Sequence, residues 1–234
     1  MRLGGAPSVS GLMRGALLVM RKDLMVELRA KEIVVSTTLF AGLVAVLTSL
    51  AFFVDDTSSA RIAPGVLWVA IAFAGVLAVG RTWSRERDQD AIRGLLLAPI
   101  PRASIWLGKA VATLLFLLAV EVFLVPVVAV LYHVDLVPVL APLAVLLVLG
   151  TIGFVAPGTL FGAMSVQTRA RELMLSVVLF PLVAPALLGA VVGTRELLGG
   201  APWDEVFGWF RVLFAYDLVV CAAGLTLFGP LTTE

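Results

Sequence analysis

Glu121 lies within "ATLLFLLAVEVFLVPVVAVLY" and Asp217 within "VFGWFRVLFAYDLVVCAAGLTLFG", each the only acid in a long apolar run. An ionisable group at membrane depth is costly, and where it is retained it faces protein or a wet cavity. Glu121 and Asp217 are therefore candidates for an intramembrane pathway or a proton or charge site. The alternatives are, for Glu121, a protonated carboxyl bonded to a neighbouring helix and, for Asp217, a pairing with Arg211 or a place at the membrane interface. His133, the one histidine, ends the run that holds Glu121. A lone histidine at the edge of such a run reads as an ordinary interfacial residue. A single cysteine, Cys221, precludes an intramolecular disulfide. With one histidine far from it, no metal cluster is expected. "LGKA" at 107–110 lacks the upstream glycine and the Ser/Thr of a phosphate-binding loop. No catalytic set emerges, so the chain reads as a non-enzyme whose energy comes from a partner or an ion gradient.

The densest polar stretch is "RTWSRERDQDAIRGLLLAP", from Arg81 to Pro99. Seven of the thirteen residues between Arg81 and Arg93 are charged, in a chain that is 61% hydrophobic. Arg85, Glu86, Arg87, Asp88, Asp90 and Arg93 mix both signs, and the apolar patch Leu95, Leu96, Leu97 follows. "APIP" at 98–101 then stops a helix, because proline lacks the amide donor and restricts the residue before it. Mixed charge gives register and apolar residues give buried area, so this segment suits docking of a soluble protein. Arginines alone would suit a loop held on the positive side of a membrane. The acids and the prolines are not explained that way.

These residues must be positioned by spans. Mean hydropathy is +1.07 and charged residues make up 14% of the chain, which excludes a soluble domain. Net charge is +1, so nucleic acid is not an expected partner. A bilayer core of about 30 Å needs roughly 20 apolar residues in a helix. Six stretches qualify: Ile33–Val54, Ala63–Trp83, Ala110–Tyr132, Val137–Met164, Leu173–Gly193 and Phe207–Gly229. They show no alternation, so they are helices rather than barrel strands. The fold class is an all-α integral membrane protein, one transmembrane domain over 1–234, with a polar segment at 84–101 between the second and third spans. The loop holding His133 and Asp135 is short enough for a tight hairpin, and Thr194–Val206 has room for a short surface helix.

Fourteen Lys/Arg fall in one set of alternate compartments and three in the other. The positive-inside rule then places both termini and the Arg81–Lys109 segment in the cytoplasm. Residues 12–31 read as an interfacial helix, with Met13, Leu17, Met20, Leu24 and Leu28 on one stripe beside Arg14, Arg21, Lys22 and Arg29. Met13, Met20 and Met25 are expected to face lipid. Pro157, Pro181 and Pro185 are expected to bend their spans. Gly158 and Gly162, four apart, allow close helix packing. Trp68, Tyr132, Trp203 and Trp209 read as interfacial aromatics.

"LLLAPIPRASIWLGK" at 95–109 resembles the coupling region of permeases of the ABC-2 exporter superfamily. "RIAPGVLWVA" at 61–70, "LGTIGFVAPGTLFGAM" at 149–164 and "LFPLVAPALLGA" at 179–190 are similar, in the same order, to spans of the haem exporter B subunit family of cytochrome c maturation, CcmB. Members of that family often carry a glycine early in the coupling loop, where this chain reads "DQDAI". The resemblance implies a separate ABC ATPase subunit like CcmA, holding the ATP and Mg and acting on the Arg85–Leu97 segment. It also implies haem-handling membrane subunits like CcmC and CcmD, a periplasmic haem chaperone like CcmE, haem as cargo, and pairing of two permeases. Imidazole suits haem iron as an axial ligand, so with haem as the implied cargo His133 becomes a candidate haem contact. The implied setting is a bacterial inner membrane, with haem delivered, or haem-loaded chaperone released, on the periplasmic side. Two other readings fit the residues: an exporter of a drug, lipid or glycan, and a scaffold that transports nothing. A secondary transporter would show an internal repeat, and none is visible.

Overall fold

A computed structural model describes residues 9–52, 56–88, 94, 95, 97–167 and 171–231. Seven long α-helices account for most of them: α1 Val9–Ala30, α2 Glu32–Ala51, α3 Asp56–Asp88, α4 Arg102–Leu131, α5 Leu140–Gln167, α6 Arg171–Leu198 and α7 Trp203–Leu231. Six, α2 to α7, contain stretches long and apolar enough to cross a membrane. The fourth of these spans, Val137–Met164, has the predicted bounds. It begins with the 3-10 turn Val137–Val139. The chain is a multi-pass helical membrane protein.

The joints are tight. Lys31 alone separates α1 from α2, in the left-handed region at φ 53°. Glu27 secures this joint twice: its carbonyl accepts from Lys31 N–H at 2.6 Å and its carboxylate from Val34 N–H at 2.9 Å. Between α4 and α5, His133 takes φ 52° and Val134 N–H reaches back to Ala129 O at 3.0 Å. That pattern is a Schellman-type helix stop. Gly200, at φ 71°, stops α6 in the same way, with Ala201 N–H on Glu196 O. The region predicted to hold a surface helix is therefore a correction. Residues 194–198 finish α6 and 203–206 begin α7, leaving only a short turn. The apolar character of Leu197, Leu198 and Val206 continues the spans instead. Trp209 Nε1 donates to Glu196 Oε2 at 2.6 Å and ties the two helices beside that turn.

Three helices, α3, α4 and α5, form the centre of the bundle, and each packs on at least four others. Large aromatics are seated on glycines of facing helices. A methyl group at Gly150 would lie 2.3 Å from Trp68, at Gly75 2.4 Å from Phe154, at Gly162 2.4 Å from Trp83, and at Gly224 2.1 Å from Trp106. Gly158 and Gly162 thus face the side chains of Val79 and Trp83 on α3, so the glycine spacing receives knobs rather than another backbone. Trp68 and Tyr132 depart from the interfacial reading. Both are buried: Trp68 Nε1 donates to Thr194 Oγ1 at 3.0 Å, and Tyr132 OH donates to Thr48 Oγ1 at 3.0 Å. Their polar tips find partners inside the bundle, which removes the pull toward water. Trp203 is exposed, as expected. Helices α5 and α6 continue through Pro157, Pro181 and Pro185 without a break in helical assignment.

Candidate functional site

The apolar stripe of α1 does not face the bundle. Met13, Leu17 and Leu28 are exposed, as is Met25, while Met20 and Leu24 are half-buried. The buried face is Gly15, Ala16, Val19, Asp23 and Glu27. Small residues let α1 approach α4 closely: a methyl at Gly108 would lie 2.6 Å from Ala16 O, and one at Gly15 2.8 Å from Ser104 Cβ. Farther along that face come two carboxylates one turn apart, and they need cations.

Lys109, fully buried in α4, supplies the first. Its Nζ lies 3.1 Å from Asp23 Oδ2 and 2.8 Å from Glu86 Oε1, and 4.9 Å from the ring centroid of Trp83. Lys22 Nζ binds Asp23 Oδ1 at 3.1 Å and also contacts Glu86 Oε1. Arg85 Nη2 reaches Glu27 Oε2 at 3.3 Å and Glu32 Oε2 at 3.5 Å, and Arg81 Nη1 reaches Glu32 Oε1 at 3.0 Å. Lys22, Arg81, Arg85 and Lys109 thus balance Asp23, Glu27, Glu32 and Glu86, cation for anion. One charged node pins α1, the start of α2, the end of α3 and the start of α4. Burial pulls the Lys22 ammonium down, but Asp23 and Glu86 outweigh it and hold Lys22 above the ordinary lysine value.

Of the residues predicted for docking, the structure turns Glu86 inward, 5% exposed. Arg85 is half-buried on Glu27 and Glu32. Arg87 and Asp88 end α3, Leu95 is half-buried against the core, and Leu97 is 84% exposed. Asp90, Arg93 and Leu96 lie outside the described residues. Sequence reading missed Asp23, Glu27 and Lys109. The available signal was the four-residue spacing of Asp23 and Glu27 on the face that already carried Gly15 and Val19, together with a lysine directly entering an apolar run.

The intramembrane carboxyls are placed differently. Glu121 is 2% exposed; its Oε1 accepts from the Thr151 hydroxyl of α5, and its Oε2 is buried without a partner. Asp217, 5% exposed, has no partner for either oxygen. It sits beside Gly153, where a methyl group would come 3.0 Å from Oδ1. Arg211 does not pair with it but lies over the Phe207 ring, 4.5 Å from the centroid. Thr151 and Gly153 are two residues apart, about 200° around α5. The two carboxyls therefore flank that one helix at one level, near mid-span. His133 is an exposed part of the α4–α5 turn. Among the described residues, no group of three or more His, Cys, Asp or Glu is arranged to hold a metal.

A family model described as "CcmB protein" matches residues 14–229. The chain belongs to the CcmB family. Among curated relatives, it is 26% identical over 207 residues to heme exporter protein B of Bradyrhizobium diazoefficiens, covering 88% of this chain and 91% of the relative. It is 28% identical over 172 residues to that of Haemophilus influenzae, 74% of this chain and 77% of the relative. To that of Rhodobacter capsulatus it is 32% identical over 129 residues, 55% and 59% of the two chains. The match includes α1 from Arg14, so both the charged node and the intramembrane carboxyls lie inside the CcmB region. CcmB membership favours the haem-exporter membrane subunit over a drug, lipid or glycan exporter.

Proposed function

We propose that this CcmB-family permease works in an ABC exporter that serves haem delivery, or release of a haem-loaded chaperone, on the outer side of a bacterial inner membrane. Both termini and the node lie on the cytoplasmic side in this reading, which the Lys/Arg distribution supports. A separate ATPase binds the end of α3 and the 84–101 segment, and membrane subunits for haem handling complete the assembly. ATP is hydrolysed by the partner. Two such permeases pair, or one pairs with a related subunit.

The observation that carries the reading is the charged node. Asp88 and the exposed Leu97 flank the segment offered to the ATPase. One turn inward, Arg85 and Glu86 are bound to α1, α2 and α4 through Glu27, Glu32, Lys22 and Lys109. A push on this segment is therefore delivered to α1 and α4 together rather than absorbed by a loop. Twelve residues along α4 from Lys109 stands Glu121, where the push would reach a pathway or charge site. Asp217 is the matching group on the far side of α5, and Pro157, Pro181 and Pro185 supply the bending positions. His133, at the outer hairpin, remains the candidate haem contact.

The test is purification of the tagged chain from native membranes in mild detergent, with co-purifying proteins identified by mass spectrometry. An ABC ATPase and haem-handling membrane subunits are expected, and the ATPase alone is lost when Asp88 and Asp90 are changed to Lys. Glu86 is left intact in that variant, because Glu86→Lys would set a third ammonium against Lys22 and Lys109. Absence of any ATPase from the wild-type preparation would overturn the reading.

A further inference from the structure

Along α4 and α5, at the end of the bundle that carries the turn joining them, lies a trough of about 650 Å³. Its walls are nearly all apolar, including Val122, Val125, Ala129, Leu140, Ala144 and Val148. It runs about 16 Å along α4 and about 12 Å along α5, two to three helical turns. Two polar residues line it: Asp135 at the outer mouth, and Glu121 at its inner end. Half of the lining residues are exposed, Val122 at 77% and Val137 at 80%, so the trough is open along its side rather than enclosed.

We infer that this trough docks a membrane-spanning helix of another subunit, one that carries a hydrogen-bond donor opposite Glu121. Glu121 lines the trough, is 2% exposed, and keeps Oε2 buried without a partner while Oε1 is held by Thr151. A buried acceptor with no donor is costly, and no water reaches mid-bilayer to supply one. An acyl chain fits the apolar walls but has no donor. A second copy of this chain, docked through the same face, would set trough against trough, concave on concave, and leave both grooves unfilled. A small molecule would leave one side uncovered in so open a groove, whereas a helix brings its own thickness. Small and β-branched walls let a helix approach closely, and polar side chains hold helices together in lipid. The occupant is thus a span with Asn, Gln, His, Lys or Arg near mid-membrane. The inference rests on the membrane-spanning fold and not on the ATPase reading, so the two fail independently.

The test places a benzophenone amino acid at Val122 or Val148 in the full chain, expressed in its native membranes. The same probe at Leu47, an exposed position on α2 away from the trough, is the control. After irradiation, cross-linked peptides are sequenced by mass spectrometry. Trough positions are expected to yield a membrane-spanning peptide of another protein, with one of the named donors within one turn of the attachment point. Leu47 yields lipid adducts. Glu121→Leu should lower the Val148 product about three- to tenfold, and Glu121→Gln should retain it. Val122→Trp, at a position exposed enough not to disturb folding, should abolish the Val148 product even if Glu121→Leu proves unstable. Lipid adducts alone, a peptide of this same chain, a span without a donor, or a product undiminished by Val122→Trp would each overturn the inference.

Discussion

Two groups of ionisable residues inside this bundle are handled in opposite ways. At the node between α1, α2, α3 and α4, four cations and four anions are packed so that the buried lysine, Lys109, has two carboxylates within 3.1 Å. Near the middle of α4 and α7, Glu121 and Asp217 stand singly, with three of their four oxygens unpartnered. Buried charge is tolerated when it is paired and hydrogen-bonded. The node therefore has the character of a structural clamp. The lone carboxyls add nothing of that kind, so their retention points outward, to a partner, a cargo or a proton.

The contrast is sharpest at Lys109. Lys109→Met leaves Asp23 and Glu86 with only the half-exposed Lys22, and breaking a buried pair on one side costs about 3–5 kcal/mol. A fall in melting temperature, followed by tryptophan fluorescence in detergent, should exceed that of every other single change at the node. A shift no larger than that of Arg81→Ala would show that the node does not clamp.

Removing a lone carboxyl should do the reverse. Asp217→Leu relieves two unsatisfied oxygens, so melting stays unchanged or rises. Thr151→Val strips Glu121 of its one donor and costs about 1–2 kcal/mol. If Asp217→Leu destabilised the protein as much as Lys109→Met, the distinction between clamp and lone group would collapse. If cytochrome c maturation fell in Asp217→Leu while melting held, a working role would be isolated from a packing role.

Alkaline titration tests the node again. The folded-state value of Lys22 is raised above its ordinary one. Its contribution is complete below the ordinary lysine range and is lost as pH rises through the raised value. The melting difference between wild type and Lys22→Gln should therefore be flat from neutral pH to about pH 10 and narrow above it. A difference that vanished nearer neutrality would mean that Asp23 and Glu86 do not hold the ammonium.

The smallest effect belongs to the rim. Arg81 and Glu32 are both substantially exposed. Arg81→Ala should cost no more than about 1 kcal/mol and should lose even that at high salt.

Much of the architecture was legible locally. Six apolar runs of membrane length, a tight hairpin at His133, and a helix ahead of the first span are consequences of backbone satisfaction in lipid, which leaves a chain almost no other choice. The same logic singled out Glu121 and Asp217, because a lone acid in such a run is conspicuous without any knowledge of its neighbours. What composition and spacing could not reveal was pairing. Glu86 looked like a docking charge because its sequence neighbours are charged, yet its carboxylate is turned toward Lys109, 23 positions away. Trp68 looked interfacial until Thr194 and the notch at Gly150 gave it a buried seat.

The side of α1 that packs was likewise decided by what faces it. Its apolar stripe suits lipid, while Gly15, Ala16, Asp23 and Glu27 match the small and basic positions of α4 and α3. Hydropathy is a property of each residue and its near neighbours, so sequence alone determined the spans and the exposed stripe. Complementarity of charge and shape belongs to residues brought together from distant points, and only the tertiary structure decided which acid meets which base, and which acid meets none.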